Sequence, residues 1–265
     1  HSGSPNSDTE KDRVVVDGVV NKTRKDTRAA WMRFPSISRQ HCIECSGNGL
    51  TEWKKPYLKT AQGTHGLTST SEWTGVPLST ILSEVGVKDG AGWILAEGGD
   101  AAVMTRSVPL DKCWSDALLG YAQNGEALRP EQGYPLRLLL PGWEGNMSVK
   151  WLRSIKVTAA PSMTKDETSK YSDLGDDGIA TLFSFPMGVK SLITSPSPGL
   201  ALGAPGIYQI SGIAWSGSGR IRRVEISADG GKSWADAALD EHVLPKCLTR
   251  DRKSTRLNSS HDQIS

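Results

Sequence analysis

The segment Leu136-Arg137-Leu138-Leu139-Leu140 constrains this chain more than any other. Its leucines leave no polar face, so it reads as a strand buried on both sides, ended by Pro141-Gly142. The arginine inside it is the difficulty. An unpaired buried charge is costly, so a fold that buries this run must also give Arg137 partners. Lys150 poses the same problem between Val149 and Trp151. The stretch between them is rich in glycine and offers backbone amides. Arginine, lysine and exposed amides together suit a phosphate or another anionic group. Two cations whose stems snorkel along edge strands are the other reading of the same residues.

The rest of the chain alternates short strands with few helices. Asp12–Val20 is β-branched and reads as a strand. Arg28–Phe34 reads as a short helix, and Gln40–Cys45 as a strand feeding the turn Ser46-Gly47-Asn48-Gly49. Val76–Val87 has helical spacing at Leu78, Ile81, Leu82 and Val85, with Gly86 as its stop. Gly92–Glu97 is a strand and Pro109–Ala117 a helix. Leu118–Gln123 runs through Asn124-Gly125 into Glu126–Leu128 as a hairpin, and Val149–Val157 is a further strand. Residues 161–179 are polar and read as loop. After Pro196-Ser197-Pro198-Gly199 come Gly206–Trp215, Ile221–Ser227 and Trp234–Leu239, parted by glycine turns. That pattern fits the first strands of an immunoglobulin-like sandwich, which needs about seven.

The expected class is therefore α+β, a mixed domain over residues 1–195 followed by a truncated immunoglobulin-like β-sandwich over 196–250. Residues 251–265 have no apolar period and resemble translated adapter sequence, so they are read as a non-native tail outside the fold, and the chain as a fragment. With 37% hydrophobic and 23% charged residues, the chain is neither disordered nor fibrous. A net charge of +2 argues against nucleic-acid or membrane-surface binding. No stretch reaches the roughly 18 apolar residues of a membrane helix. Nine tryptophans take more than half of a 6% aromatic share, and such indoles plug cores or line clefts.

The densest chemical cluster is His41-Cys42-Ile43-Glu44-Cys45-Ser46-Gly47-Asn48-Gly49. Cys42 and Cys45 form a CxxC, half of a zinc site, but no second CxxC accompanies it. A thioredoxin-like pair lacks its βαβ context. Buried structural cysteines remain a reading. So does a single thiolate at a strand end, ligating a metal that prefers soft donors. Cys45 suits that role better than Cys42, because it stands at the turn, where Gly47 and Gly49 let a bulky group approach.

The segments ECSGNG, SEWTGVPLSTIL, AEGGDAA, MTRSVPL, YPLRLLLPGWEGNMSVKWL, SKYSDL and AWSGSGRIRRVEISADGGKSW resemble, in order, the sulfite oxidase family of molybdenum-cofactor enzymes. Within it, ALRPEQGYPLRLLLPGWEGNMSVKWLR and VLPKCLTR are most similar to the sulfane dehydrogenases of bacterial sulfur oxidation. The resemblance implies Mo-molybdopterin as cofactor and Cys45 as the thiolate ligand of molybdenum. It implies that Asp100, Arg137, Ser148, Val149 and Lys150 hold the pterin and its phosphate. Tyr171 would be the active-site tyrosine, and Arg106, with Trp73, would lie near the substrate funnel.

It further implies oxo transfer to a sulfur substrate, either sulfane sulfur on a carrier protein or free sulfite. Electrons would pass to a c-type cytochrome, since no haem-attachment CxxCH occurs here. A homodimer through the C-terminal domain and a periplasmic location follow from the same resemblance. There are departures. Gly49 and Leu50 stand where animal sulfite oxidases carry arginines, which weighs against free sulfite. Gln132 replaces a pterin-contacting histidine, and Cys42 replaces an aromatic and is read as core. The family's upstream arginine and histidine segment is absent. A cofactor-free binding module on the same fold is the alternative of another class.

Overall fold

The computed structural model describes residues 3–5, 11–53, 60–197, 200 and 202–257. In chain order it forms β1 (Arg13–Gly18), β2 (Arg24–Thr27), α1 (Arg28–Trp31), β3 (Ile37–Glu44), α2 (Ala61–His65), β4 (Thr68–Pro77) and α3 (Leu78–Val85). Next come β5 (Trp93–Gly98), β6 (Thr105–Pro109), α4 (Leu110–Ser115), β7 (Leu118–Gln123), β8 (Glu126–Ala127), β9 (Arg137–Leu139) and β10 (Leu152–Thr158). Then follow α5 (Lys165–Ser169), β11 (Ser172–Leu174), β12 (Ala180–Leu182), β13 (Lys190–Ser195) and β14 (Gly206–Trp215). The last are β15 (Glu225–Ile226), β16 (Ala235–Asp236), β17 (Ala238–Leu239) and β18 (Thr249–Leu257).

The chain divides into two compact units. One combines the residues up to Arg39 with Ser71–Phe185; the other combines Gln40–Thr70 with the residues from Pro186 onward. The division thus cuts through β3 and β4 and falls again after Phe185.

In the first unit one sheet has the order β2-β1-β10-β5-β6, with β1 and β10 parallel and the other pairs antiparallel. A second sheet brings β4, β7 and β8 together, with β9 on β7. Helix α3 buries Leu78, Ile81, Leu82 and Val85, one stripe at helical spacing. They join Val16, Ile94, Val108 and Ile155 in one core. Burying each such side chain stabilises the fold by about 1.5–3 kcal/mol. Gly86 ends α3 at φ 65°, its N–H donating to the carbonyls of Leu82 and Ser83. Asn124 and Gly125 both have positive φ, 52° and 79°, as a tight hairpin between β7 and β8 requires. β9 is buried at all three positions, as its leucines demand.

In the second unit β13, β14, β18 and β17 form one sheet and β15 and β16 a two-stranded one. Cys42 and Cys247 are buried here. The Cys42 N–H donates to the Lys246 carbonyl at 2.8 Å, and the Cys247 thiol donates to the Gln40 carbonyl at 3.1 Å. Burial pushes both thiols above their usual range, and that of Cys247 reaches about 11.

Three sequence expectations need correction. Residues 251–257, read as lying beyond the fold, extend β18, which pairs with β14 from Ala214↔Thr249 to Gly206↔Leu257. Their pairing is a backbone ladder, which leaves no apolar period to read. Residues 161–179, read as loop, hold α5 and β11. Asp166 and Glu167 are the buried residues of α5, so the helix has no apolar stripe. The strand read over Val149–Val157 begins only at Leu152.

Candidate functional site

Arg137 opens β9 and is 3% exposed. Its Nη1 donates to the Gln132 carbonyl and its Nη2 to the Ser148 carbonyl, both at 2.9 Å. Its guanidinium lies 5.1 Å from the ring centre of Trp73, on β4. Among the described residues no carboxylate forms an ion pair with it. Burial alone lowers its pKa to about 10. The fold therefore solvates this cation with carbonyl dipoles and an aromatic face and leaves its net charge unmatched.

A second cation stands beside it. Burial, and then the charge of Arg137, push the Lys150 ammonium below its usual range, while Asp100 and Glu131 oppose the shift. Lys150 donates to the Glu131 carbonyl at 3.0 Å and its Nζ lies 4.3 Å from the ring centre of Trp151. Gly133 lets the two cations approach. Its φ is +106°, and a Cβ there would meet the Cβ atoms of Lys150 at 3.0 Å and Arg137 at 3.2 Å. Only glycine fits both the conformation and the space.

Val149 serves through its backbone, and Ser148 through its backbone and its hydroxyl. They are 4% and 1% exposed. The Ser148 hydroxyl accepts the Leu140 N–H at 3.0 Å, and the Val149 carbonyl accepts the Leu138 N–H at 2.9 Å. Asp100 shapes the turn between β5 and β6, its Oδ1 accepting the Met104 N–H at 3.3 Å. Arg137, Ser148, Val149, Lys150 and Asp100 thus form one neighbourhood in the first unit.

Arg106 and Tyr171 form another neighbourhood of that unit. The Arg106 guanidinium lies 4.5 Å from the centre of the Tyr171 ring, and its Nη2 lies 3.2 Å from Glu167 Oε2. Arg106 is 2% and Glu167 0% exposed. Burial lowers the pKa of Arg106 and raises that of Glu167, against their mutual attraction. Glu167 Oε1 also accepts the Ser107 N–H at 2.8 Å, and Asp166 Oδ2 accepts the Thr105 N–H at 3.4 Å. Two carboxylates of α5 therefore take alternate N–H groups along β6, the last strand of its sheet, and anchor the segment that carries Tyr171. Arg106 Nε and Nη1 are buried without hydrogen-bond partners among the described residues.

Cys45 belongs to the second unit and is the one exposed cysteine. It follows the last residue of β3. Its N–H donates to the Leu67 carbonyl at 2.9 Å, and its own carbonyl accepts the Asn48 N–H at 2.9 Å. A Cβ on Gly47 would meet only the Cys45 sulfur, at 3.8 Å, so the thiol stands at an open turn. Cys42, its partner in the CxxC, donates to or accepts from Thr68 Oγ1 at 3.1 Å and is buried. Among the described residues no group of three or more His, Cys, Asp or Glu is placed to hold a metal ion.

Sequence reasoning missed Glu167 and the role of Gly133. An acidic residue in a polar stretch carries no periodic signal, and a glycine beside a turn has many ordinary uses. Trp73 was named, but nothing in its sequence neighbourhood announces that it faces Arg137.

Two family models match. One, described as an oxidoreductase molybdopterin binding domain, covers residues 1–165; the other, a Mo-co oxidoreductase dimerisation domain, covers residues 183–259. The chain is 32% identical over 248 residues to a sulfite oxidase of Gallus gallus, covering 86% of this chain and 54% of that protein. It is 31% identical over 281 residues to an NADH nitrate reductase of Brassica napus, covering 92% of this chain and 30% of that one. The solved structure of the sulfane dehydrogenase SoxCD from Paracoccus pantotrophus matches with a TM-score of 0.93 and 43% identity, covering 97% of this chain and 66% of that one. The chain thus spans about half or less of these two curated relatives.

Proposed function

The chain belongs to the sulfite oxidase family of molybdopterin-binding oxidoreductases, and from that premise we propose that it oxidises a sulfur substrate by oxo transfer. The substrate class favoured is sulfane sulfur held on a carrier protein. The 43% identity to a sulfane dehydrogenase, against 32% to a sulfite oxidase, supports that choice. So does the presence of Gly49 and Leu50 after the cysteine turn, where animal sulfite oxidases carry arginines. Free sulfite is the second reading, kept in view by the sulfite oxidase likeness.

The residues fit the cofactor. The observation that carries the reading is Arg137, buried, unmatched by any carboxylate among the described residues and set against Lys150 by Gly133. A phosphate would supply the missing negative charge to both cations. Cys45 offers an exposed thiol for a metal that favours soft donors. When bound, the molybdenum cofactor supplies two-electron oxo transfer to the sulfur lone pair, with water restoring the oxygen.

The chain's own residues hold and screen that chemistry. Arg137 and Lys150 bind the anionic end of the cofactor, and the Ser148–Val149 backbone keeps the two cations in place. The Tyr171 phenol donates a hydrogen bond to the oxygen of the reacting group, and one such donor contributes about 10²-fold or more in rate. Arg106 backs the phenol ring and is itself held by Glu167. Electrons leave to a c-type cytochrome. Residues 1–195 carry the cofactor and the segment from 196 onward the dimerisation function, in a periplasmic homodimer. Among the described residues no helix is long and apolar enough to cross a membrane.

Elemental analysis of the protein produced in a host that makes the cofactor tests the reading. The expected result is a molybdenum content near one per chain and turnover with carrier-bound sulfane. A content near zero in folded protein would move the assignment to a cofactor-free binding module.

A further inference from the structure

Glu44 immediately precedes the exposed Cys45, yet it is 1% exposed. Its carboxylate collects three donors. Asn48 Nδ2 at 3.0 Å and Lys190 Nζ at 2.7 Å donate to Oε1, and Trp215 Nε1 donates to Oε2 at 2.7 Å. Lys190 begins β13 and Trp215 ends β14. Asn48 lies in the turn of the cysteine itself, and its Oδ1 accepts the Leu67 N–H at 3.0 Å. The strand that ends in Glu44 is thus locked to two strands far along the chain, within one compact unit.

We propose that Glu44 is a positioning residue for Cys45, gripped by Lys190 and Trp215 so that β13 and β14 fix the turn that presents the sulfur. The inference rests on the reading of Cys45 as metal ligand and deepens it. A buried carboxylate is tolerated only where its lone pairs are met. With three donors on two oxygens, Glu44 has one favourable placement, and the backbone of the next residue shares it. A glutamine at this position would have to turn its own N–H₂ toward one of those donors, so the neutral analogue does not reproduce the grip. The C-terminal family segment, matched as a dimerisation domain, then also serves the metal site.

The test uses Trp215→Phe, which keeps a ring and removes the Nε1 donor, and Lys190→Met at a half-exposed side chain that tolerates substitution. Lys190→Arg serves as rescue. Hydrogen exchange of the Cys45–Gly49 amides is read in cofactor-free protein, and molybdenum retention in loaded protein. Expected are exchange in that turn about tenfold faster or more, unchanged exchange along Gly206–Ala214, and molybdenum affinity lowered about 10- to 100-fold, with Lys190→Arg near wild type. Unchanged exchange in the turn would overturn the grip. Faster exchange with unaltered molybdenum retention would overturn its role in positioning the ligand. Retention of molybdenum by Cys45→Ser would instead overturn the ligand reading itself, while the exchange data would still report the grip.

Discussion

The guanidinium of Arg137 lies 5.1 Å from the centre of the Trp73 indole, and no described carboxylate offsets its charge. Trp73 is 1% exposed and Arg137 3%, so an aromatic face and a cation are sealed together in the first unit. The arrangement keeps a positive charge in low dielectric, where an incoming phosphate is attracted more strongly than it would be in water. Trp73 on β4 and Arg137 on β9 belong to strands that both pair with β7.

Gly133→Ala should loosen that cation pair. Alanine would be forced to φ +106° and into contact with Lys150 and Arg137. The expected cost is about 1–3 kcal/mol of stability, read by denaturant unfolding of the cofactor-free protein. A matching loss of bound molybdenum is expected in loaded protein. Wild-type stability in the variant would show that the two cations can separate freely.

Cys45→Ser should leave the fold intact, because the side chain is exposed. Stability is expected to stay within about 0.5 kcal/mol of wild type. Molybdenum content should fall to near zero and turnover with it. Retained turnover in this variant contradicts the thiolate assignment.

Tyr171→Phe should lower kcat about 10²-fold or more with molybdenum content unchanged. The ring persists, so its stacking with Arg106 persists. Steady-state rates with the metal content measured on the same sample separate a lost donor from a lost cofactor.

Asp229 sets a pH dependence in the second unit. Hydrogen bonds led by that from the Ser233 hydroxyl hold its carboxyl at about 2, below the ordinary 3.8. A lowered acid stabilises the folded state above its unfolded pKa and loses that contribution as pH falls through the folded one. The stabilisation is therefore complete above pH 3.8 and fades toward pH 2. Unfolding midpoints of Asp229→Asn across that window should be flatter than wild type. Parallel curves would show that the Asp229 carboxyl titrates alike in the folded and unfolded chains, which overturns the lowered value.

Much of the fold was legible where burial follows a period. The stripe of α3, the Asn124-Gly125 hairpin and the doubly buried β9 all lie where their residues put them, because one local rule decides each. Helix α5 was illegible because its inward residues are Asp166 and Glu167, whose reason for burial is the row of N–H groups on β6. β18 was illegible beyond Arg250 because its pairing with β14 runs through the backbone, to which Arg252 and Lys253 are no obstacle.

The sequence by itself determined the kinds of residue the chemistry requires: a cysteine at a glycine-rich turn, an arginine within a leucine strand and a lysine beside it. Pattern and composition suffice for that, since each residue type carries its own chemistry. Only the tertiary structure decided the company they keep. It set Trp73 against Arg137, Glu167 behind Arg106, and Trp215 on Glu44 across 171 positions of chain. The physical reason is that burial of a charge is governed by whichever groups the fold brings within a few ångströms, and separation along the chain does not encode that distance.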